Sequence, residues 1–237
     1  MAVPEQQRGS MRTYSVRELR VADTGETEVV VDFVLHLQPG LTGPASTWAS
    51  TAAVGDELLI VGPRRAREDR SGIEWAPGVA SDVLLAGDET AAPAIARILE
   101  DAPRALQGNA FIEVPSVADI LTIQAPPGVS VTWLPRSPGA EHGTALIPAV
   151  LTHVGEAPAT VEVRDLEGEE MVWETPVYSG LGEEISVPDA TAETYFWIAG
   201  ESGVVTTLRR HLVKDRGIDR AQVAFMGYWR RGVAMRG

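Results

Sequence analysis

The sequence predicts two parts in series: antiparallel β structure over residues 12–80, then an α/β domain with a parallel sheet over residues 81–237. Before residue 80 the apolar residues fall in short β-rich runs separated by Gly, Pro and Asp, with no helical period. Beyond it, short apolar runs alternate with stretches of helical period, the pattern of strands joined by helices. The clearest unit, D-V-L-L-A-G-D-E-T-A-A-P-A-I-A-R-I-L-E-D (82–101), reads as a buried strand, a tight loop and a helix.

In the first part, R-T-Y-S-V-R-E-L (12–19) and E-V-V-V-D-F-V-L-H (28–36) are two strands joined through Asp23, Thr24 and Gly25. Leu58 to Val61 is a third, entered through Gly55-Asp56 and closed by Gly62-Pro63. The loop from His36 to Ala49 carries glycines and Ser46, which let backbone N–H groups approach a phosphate.

In the second part, Val83 to Leu85 ends at Ala86-Gly87, as a central parallel strand does. Thr90 is the expected N-cap of the following helix, Pro93 suits its first turn, and Ile95, Ile98 and Leu99 share one face. Asp88, Glu89 and Thr90 therefore stand at the carboxyl end of a strand, where open α/β sheets bind ligands. The first N–H groups of the helix are expected to be left for that ligand. Asn109–Val114 and Val129–Leu134 are the next strands, and Ser116 caps a short helix between them. Arg136 lies just past the carboxyl edge of Val129–Leu134, where it can meet a 2′-phosphate or serve as an exposed loop arginine. T-A-L-I-P-A-V-L-T-H-V (144–154) is helical. Residues 159–174 read as a hairpin around Glu167-Gly168 and 180–190 as an acidic loop. Tyr195–Ala199 is a buried strand, and Gly200-Glu201-Ser202-Gly203 opens a helix from Val204 to Lys214. The turns at Ala86-Gly87-Asp88 and Ala199-Gly200-Glu201 are expected on one sheet edge.

Composition excludes several chemistries. A net charge of −13 argues against a nucleic-acid or anionic-membrane partner. Without cysteine there is no disulfide, no thiolate nucleophile and no Cys-ligated cluster. His36, His142, His153 and His211 lie far apart and form no metal-ligand spacing, so no metal site is expected. Redox chemistry would have to come from a dissociable organic cofactor. The N-terminus has no apolar core of a signal peptide and no run approaches a membrane span, so a cytoplasmic location is expected.

Several motifs, taken in order, carry a family resemblance. They are R-x-Y-[ST]-x-R at Arg12, Tyr14, Ser15 and Arg17, V-D-F-V-L-H (31–36), G-P-A-S-x-W-A (43–49) and G-D-x-L-x-I-x-G-P (55–63). Further on come A-G-D-E-T-A-x-P-A-I-A-R-I-L-E (86–100), W-L-x-R ending at Arg136, Y-x-W-x-A-G-E (195–201) and M-G-Y-W-R-R-G (226–232). Together the chain resembles the siderophore-interacting proteins, flavin-dependent ferric-siderophore reductases. Thr47 stands where the family has Arg, and the chain begins close to the first motif.

The resemblance implies a ferredoxin-NADP reductase-like molecule: a partial antiparallel β-barrel over 12–80 for FAD, then an α/β parallel sheet over 81–237 for NADPH or NADH. It implies that Arg12 pairs with the FAD phosphates and that Tyr14 and Ser15 are the catalytic positions at the flavin ring. A π-face, a guanidinium and a small donor are suitable chemistry for those tasks. It adds Arg17, His36, Ala45 and Ser46 to the cofactor-binding residues of the first part. In the second part it adds Asp88, Glu89, Thr90, Ala91, Arg136, Glu201, Tyr228 and Trp229. Arg230 and Arg231, with Arg209 and Arg210, are candidates for a basic lip that attracts an anionic ferric siderophore. The expected reaction is NAD(P)H-dependent reduction of the ferric siderophore, releasing Fe(II). The alternative is a truncated relative without firm FAD binding, acting as a nucleotide-binding or interaction module. Open strand edges in a partial barrel are compatible with a homodimer.

Overall fold

The computed structural model describes residues 9–37, 42–62, 74–155, 163, 172–175, 178–179 and 193–232. The turn of the expected hairpin at Glu167-Gly168 and the acidic loop 180–190 lie outside these residues. The chain forms two compact units, one over Met1–Gly72 with Gly232–Gly237 and one over Ile73–Arg231.

In the first unit, strands β1 (Glu18–Val21) and β2 (Thr27–Val30) pair antiparallel, with Leu19 opposite Val29 and Val21 opposite Thr27. Gly25 makes the turn at φ +86°. Alternation puts Leu19, Val21 and Val29 on one face, while Arg20 ion-pairs Glu18 and Glu28 on the other. Helix α1 (Pro44–Thr51) follows, with Pro in its first turn. The expected strands are thus shorter than their apolar runs. Tyr14 and Phe33 meet ring to ring at 4.5 Å, and Phe33 meets Trp48 at 5.8 Å, so these flanks pack through side chains instead of a ladder. The expected third strand is corrected: among the described residues Leu58–Val61 joins no ladder, with Leu59 98% and Val61 87% exposed. Four successive apolar residues suit a strand covered on both faces, and no described residue supplies that cover. Among the described residues there is no closed barrel.

The second unit is a seven-stranded sheet. Its strands are β3 (Asp82–Gly87), β4 (Gln107–Val114), β5 (Gly128–Pro135), β6 (Trp173–Thr175), β7 (Tyr178–Ser179), β8 (Thr194–Glu201) and β9 (Val223–Trp229). They lie in the order β5-β4-β3-β8-β9-β6-β7. The first five neighbours run parallel, and β6 and β7 are antiparallel additions at one edge. Alternate residues of β3 feed two cores. Val83 and Leu85 pack with Ile95 and Leu99 of α2 (Ala92–Asp101) on one face. Leu84 and Ala86 pack on the other with Ile147 and Leu151 of α3 (Leu146–His153) and Val205 and Leu208 of α4 (Ser202–Arg209). Each fully buried Leu or Ile there contributes about 1.5–3 kcal/mol. Beyond Arg209 the last helix widens to a π-helical turn, Arg210–Asp215. Ser116 caps the 3₁₀ turn Val117–Asp119, as expected.

Candidate functional site

The two Gly-containing turns meet at the carboxyl edge of adjacent parallel strands β3 and β8, where Gly87 lies opposite Ala199. Gly87 has no alternative: a Cβ there would stand 2.4 Å from the Cβ of Ala91 and 2.9 Å from the Ala199 carbonyl oxygen. Asp88 joins the turns. Its buried carboxylate accepts from the Thr90 amide at 2.9 Å, the Thr90 hydroxyl, the Glu201 amide at 2.7 Å and the Trp229 indole N–H at 2.8 Å. Burial, then the neighbouring Glu89 charge, push the Asp88 carboxyl up from its ordinary value, against the pull of these donors.

This turn corrects the reading of Thr90 as a cap. The Thr90 hydroxyl donates to Asp88, and no side chain caps α2. The Ala91 and Ala92 amides donate to the Asp88 carbonyl at 3.0 Å, so neither is left for a ligand. An Asp two residues ahead folds its carboxylate onto the Thr90 amide more readily than Thr reaches forward, the usual Asx geometry.

Arg136 does lie at this edge, but it is buried and committed. Its guanidinium donates to both carboxylate oxygens of Glu89 at 2.8 Å and to Glu113 at 3.2 Å. Glu113, fully buried at the end of β4, also accepts from the amides of Gly143 (2.8 Å), Ala145 (3.0 Å) and Leu146 (2.9 Å). It therefore anchors the loop that leads into α3. His142, in that loop, sets Nε2 3.2 Å from Glu89 and its ring edge-on to Trp229 at 4.7 Å. Sequence reasoning missed Glu113 and His142. Glu113 looked like the polar alternate of a strand, and His142 like a loop residue.

Glu201 caps α4 by accepting from the Val204 amide at 3.0 Å, and it accepts from the Arg231 amide at 3.3 Å. Tyr228 packs against Trp173 at 5.8 Å and Trp197 at 6.4 Å, and burial raises its phenol pKa. Trp229 is half-buried between Asp88 and His142. Arg231 is exposed and donates to Glu141 at 2.7 Å; Arg230 is half-buried beside it in sequence. Arg209 drops out of the basic lip: it grips Glu174 with two nitrogens at 2.8 and 3.0 Å, and Arg220 completes the triad at 2.9 Å.

The remaining candidates lie in the first unit. Tyr14 rests on Phe33 and keeps 41% of its surface exposed, with Arg12 and Ser15 half-buried nearby in sequence. Burial raises the Tyr14 phenol pKa, and the Arg12 charge opposes that rise. Arg17 pairs with Asp32 at 3.5 Å. Ala45 and Ser46 form the first turn of α1, where N–H groups precede the intrahelical ladder, and the Ser46 hydroxyl donates to the Val34 carbonyl at 3.2 Å. His36 is half-buried at the start of the connecting loop. An exposed aromatic face, a guanidinium and free first-turn amides fit a flat ring carrying phosphates.

Comparison with known proteins bears on both units. The family model of siderophore-interacting proteins matches residues 80–232, and that of the siderophore-interacting FAD-binding domain matches residues 1–67. The chain belongs to the siderophore-interacting protein family. An uncharacterized protein of Mycobacterium tuberculosis is 33% identical over 233 residues, covering 97% of this chain and 68% of that relative. The ferric vibriobactin reductase ViuB of Vibrio cholerae is 27% identical, covering 93% of this chain and 65% of ViuB. Among solved structures, the siderophore-interacting protein SipS from Aeromonas hydrophila aligns with a TM-score of 0.62 at 28% identity. That alignment covers 97% of this chain and 77% of SipS. Among the described residues no helix is long and apolar enough to cross a membrane, and no group of three or more His, Asp and Glu could hold a metal ion.

Proposed function

We propose that this protein is an NAD(P)H-dependent, FAD-bearing reductase that reduces ferric siderophores in the cytoplasm and so releases Fe(II). The observation that carries the reading is the Tyr14 platform, an aromatic face left 41% exposed within the FAD-binding match. In this reading residues 12–80 act as a partial barrel that holds FAD. Arg12 and the first-turn amides of Ala45 and Ser46 neutralise its phosphates, Tyr14 supports the ring, and Ser15 offers a hydroxyl at its edge. Bound FAD would accept a hydride from the nicotinamide and deliver single electrons to Fe(III). The chain's own part is orientation. Asp88 fixes Trp229 and both turns at the edge where the dinucleotide binds, and Arg230 and Arg231 draw in an anionic ferric chelate, which is the substrate.

The relative named a ferric vibriobactin reductase supports the choice of substrate class. Adding FAD should raise the melting temperature and give bound flavin absorbance, as mass action requires. Tyr14→Ala should weaken FAD binding more than Tyr14→Phe, because the stacked face matters more than the hydroxyl. Anaerobic NADH or NADPH oxidation should then yield Fe(II), trapped by a chromophoric chelator. Absence of any shift at saturating FAD would sink the reading.

A further inference from the structure

The His142 imidazole is built like a recognition group and has no assigned task. Glu89 holds Arg136 through both of its oxygens, so its carboxylate is ionised and can only accept hydrogen bonds. Nε2 of His142, 3.2 Å from Glu89 Oε1, must therefore carry the proton. In the neutral ring this leaves Nδ1 with a lone pair and no proton. No described residue hydrogen-bonds Nδ1, and 25% of the side chain is exposed. The ring cannot turn away without losing both Glu89 and its edge-on contact with Trp229. Arg136 in turn is held by Glu113, which also fixes the Gly143 amide next in sequence. A buried strut thus fixes the partly exposed ring at the carboxyl edge of the sheet, with one acceptor nitrogen unused by the described residues.

We infer that His142 Nδ1 accepts a hydrogen bond from the nicotinamide nucleotide, either from its carboxamide N–H or from a ribose hydroxyl. The inference rests on the reading that this edge binds such a nucleotide. His142 would then be a binding residue, with Glu89 as the positioning residue that sets its tautomer. Arg136 acts here through Glu89 and does not touch the nucleotide.

The test is equilibrium binding of NAD⁺ and of ADP-ribose to the whole FAD-loaded protein, using two substitutions that separate the ring nitrogens. In His142→Asn the side-chain oxygen can take the place of Nδ1. In His142→Gln the longer chain reaches Glu89 but gives up that acceptor. His142→Gln should weaken binding about tenfold, the usual worth of one hydrogen bond, while His142→Asn should stay within about threefold of wild type. Weakening for NAD⁺ alone assigns the donor to the nicotinamide half; equal weakening for ADP-ribose assigns it to the adenosine diphosphate ribose half. Wild-type binding by His142→Gln overturns the inference, as does the reverse order of the two variants. If wild type binds FAD but neither nucleotide, the functional reading fails along with it. Should a variant fold poorly, long-range ¹H–¹⁵N spectra of the wild-type histidines give the answer. Nδ1 should be unprotonated before NAD⁺ is added and should shift with it; a protonated or unmoved Nδ1 overturns the inference.

Discussion

At Gly200 a φ of +139° coincides with the Asp88 carboxylate, whose atoms lie 2.7 Å from where a Cβ would stand. Backbone strain and contact with a buried charge therefore act together on any substitution. Gly200→Ala should lower stability by about 1–3 kcal/mol in urea unfolding, with Gly25→Ala, where nothing lies within 4 Å, as the milder comparison. Asp88 adds a pH signature. Its folded pKa is raised, so the native state holds a proton more readily than the unfolded chain. The stability it contributes is full below the ordinary aspartate range and is lost as pH rises through the raised value. Compared with Asp88→Ala, wild type should gain melting temperature as pH falls from 7 toward the ordinary carboxylate range. A constant difference across that window would mean that Asp88 does not titrate there.

The element that most depends on one residue is the loop joining β5 to α3. Glu113 holds its amides at Gly143, Ala145 and Leu146, and also pairs with Arg136. Glu113→Ala would leave those buried amide donors unpaired and take one of two carboxylate partners from Arg136, which keeps Glu89, at a cost of about 3–5 kcal/mol in chemical denaturation. The parallel strands and α2 were legible in sequence because apolar period and Gly or Pro punctuation are local signals. Glu113 was not, because its partners lie thirty residues downstream and only the fold brings them to it. Thr90 misled for the opposite reason, since a good local cap signal lost to the Asp two residues before it. In the first unit the apolar runs were visible, but an apolar run states only that a strand needs cover and does not say from where. Leu59 and Val61 show the difference.

Across the whole molecule the two units are unequally supported. Both faces of the seven-stranded sheet bury large apolar side chains, whereas the described first unit has one two-stranded ladder. A two-stranded ladder is marginal by itself. Calorimetry of the FAD-free protein should resolve two transitions, with added FAD raising the lower one selectively. A single transition that moves as a whole would mean the units melt together.

The central pair of that sheet, β3 and β8, is joined by residues far apart in the chain: Thr194 donates to Asp82 across 112 positions. During synthesis β3 emerges with β4 and β5 on one side and an open edge on the other, and it stays open until β8 leaves the ribosome. High contact order of this kind slows folding and leaves an unpaired apolar strand in the nascent chain. A version ending at Gly155 should therefore be captured by chaperones or precipitate, although it holds three complete parallel strands and helices α1 to α3. Folding of the full chain should show a rate limited by docking of its last third.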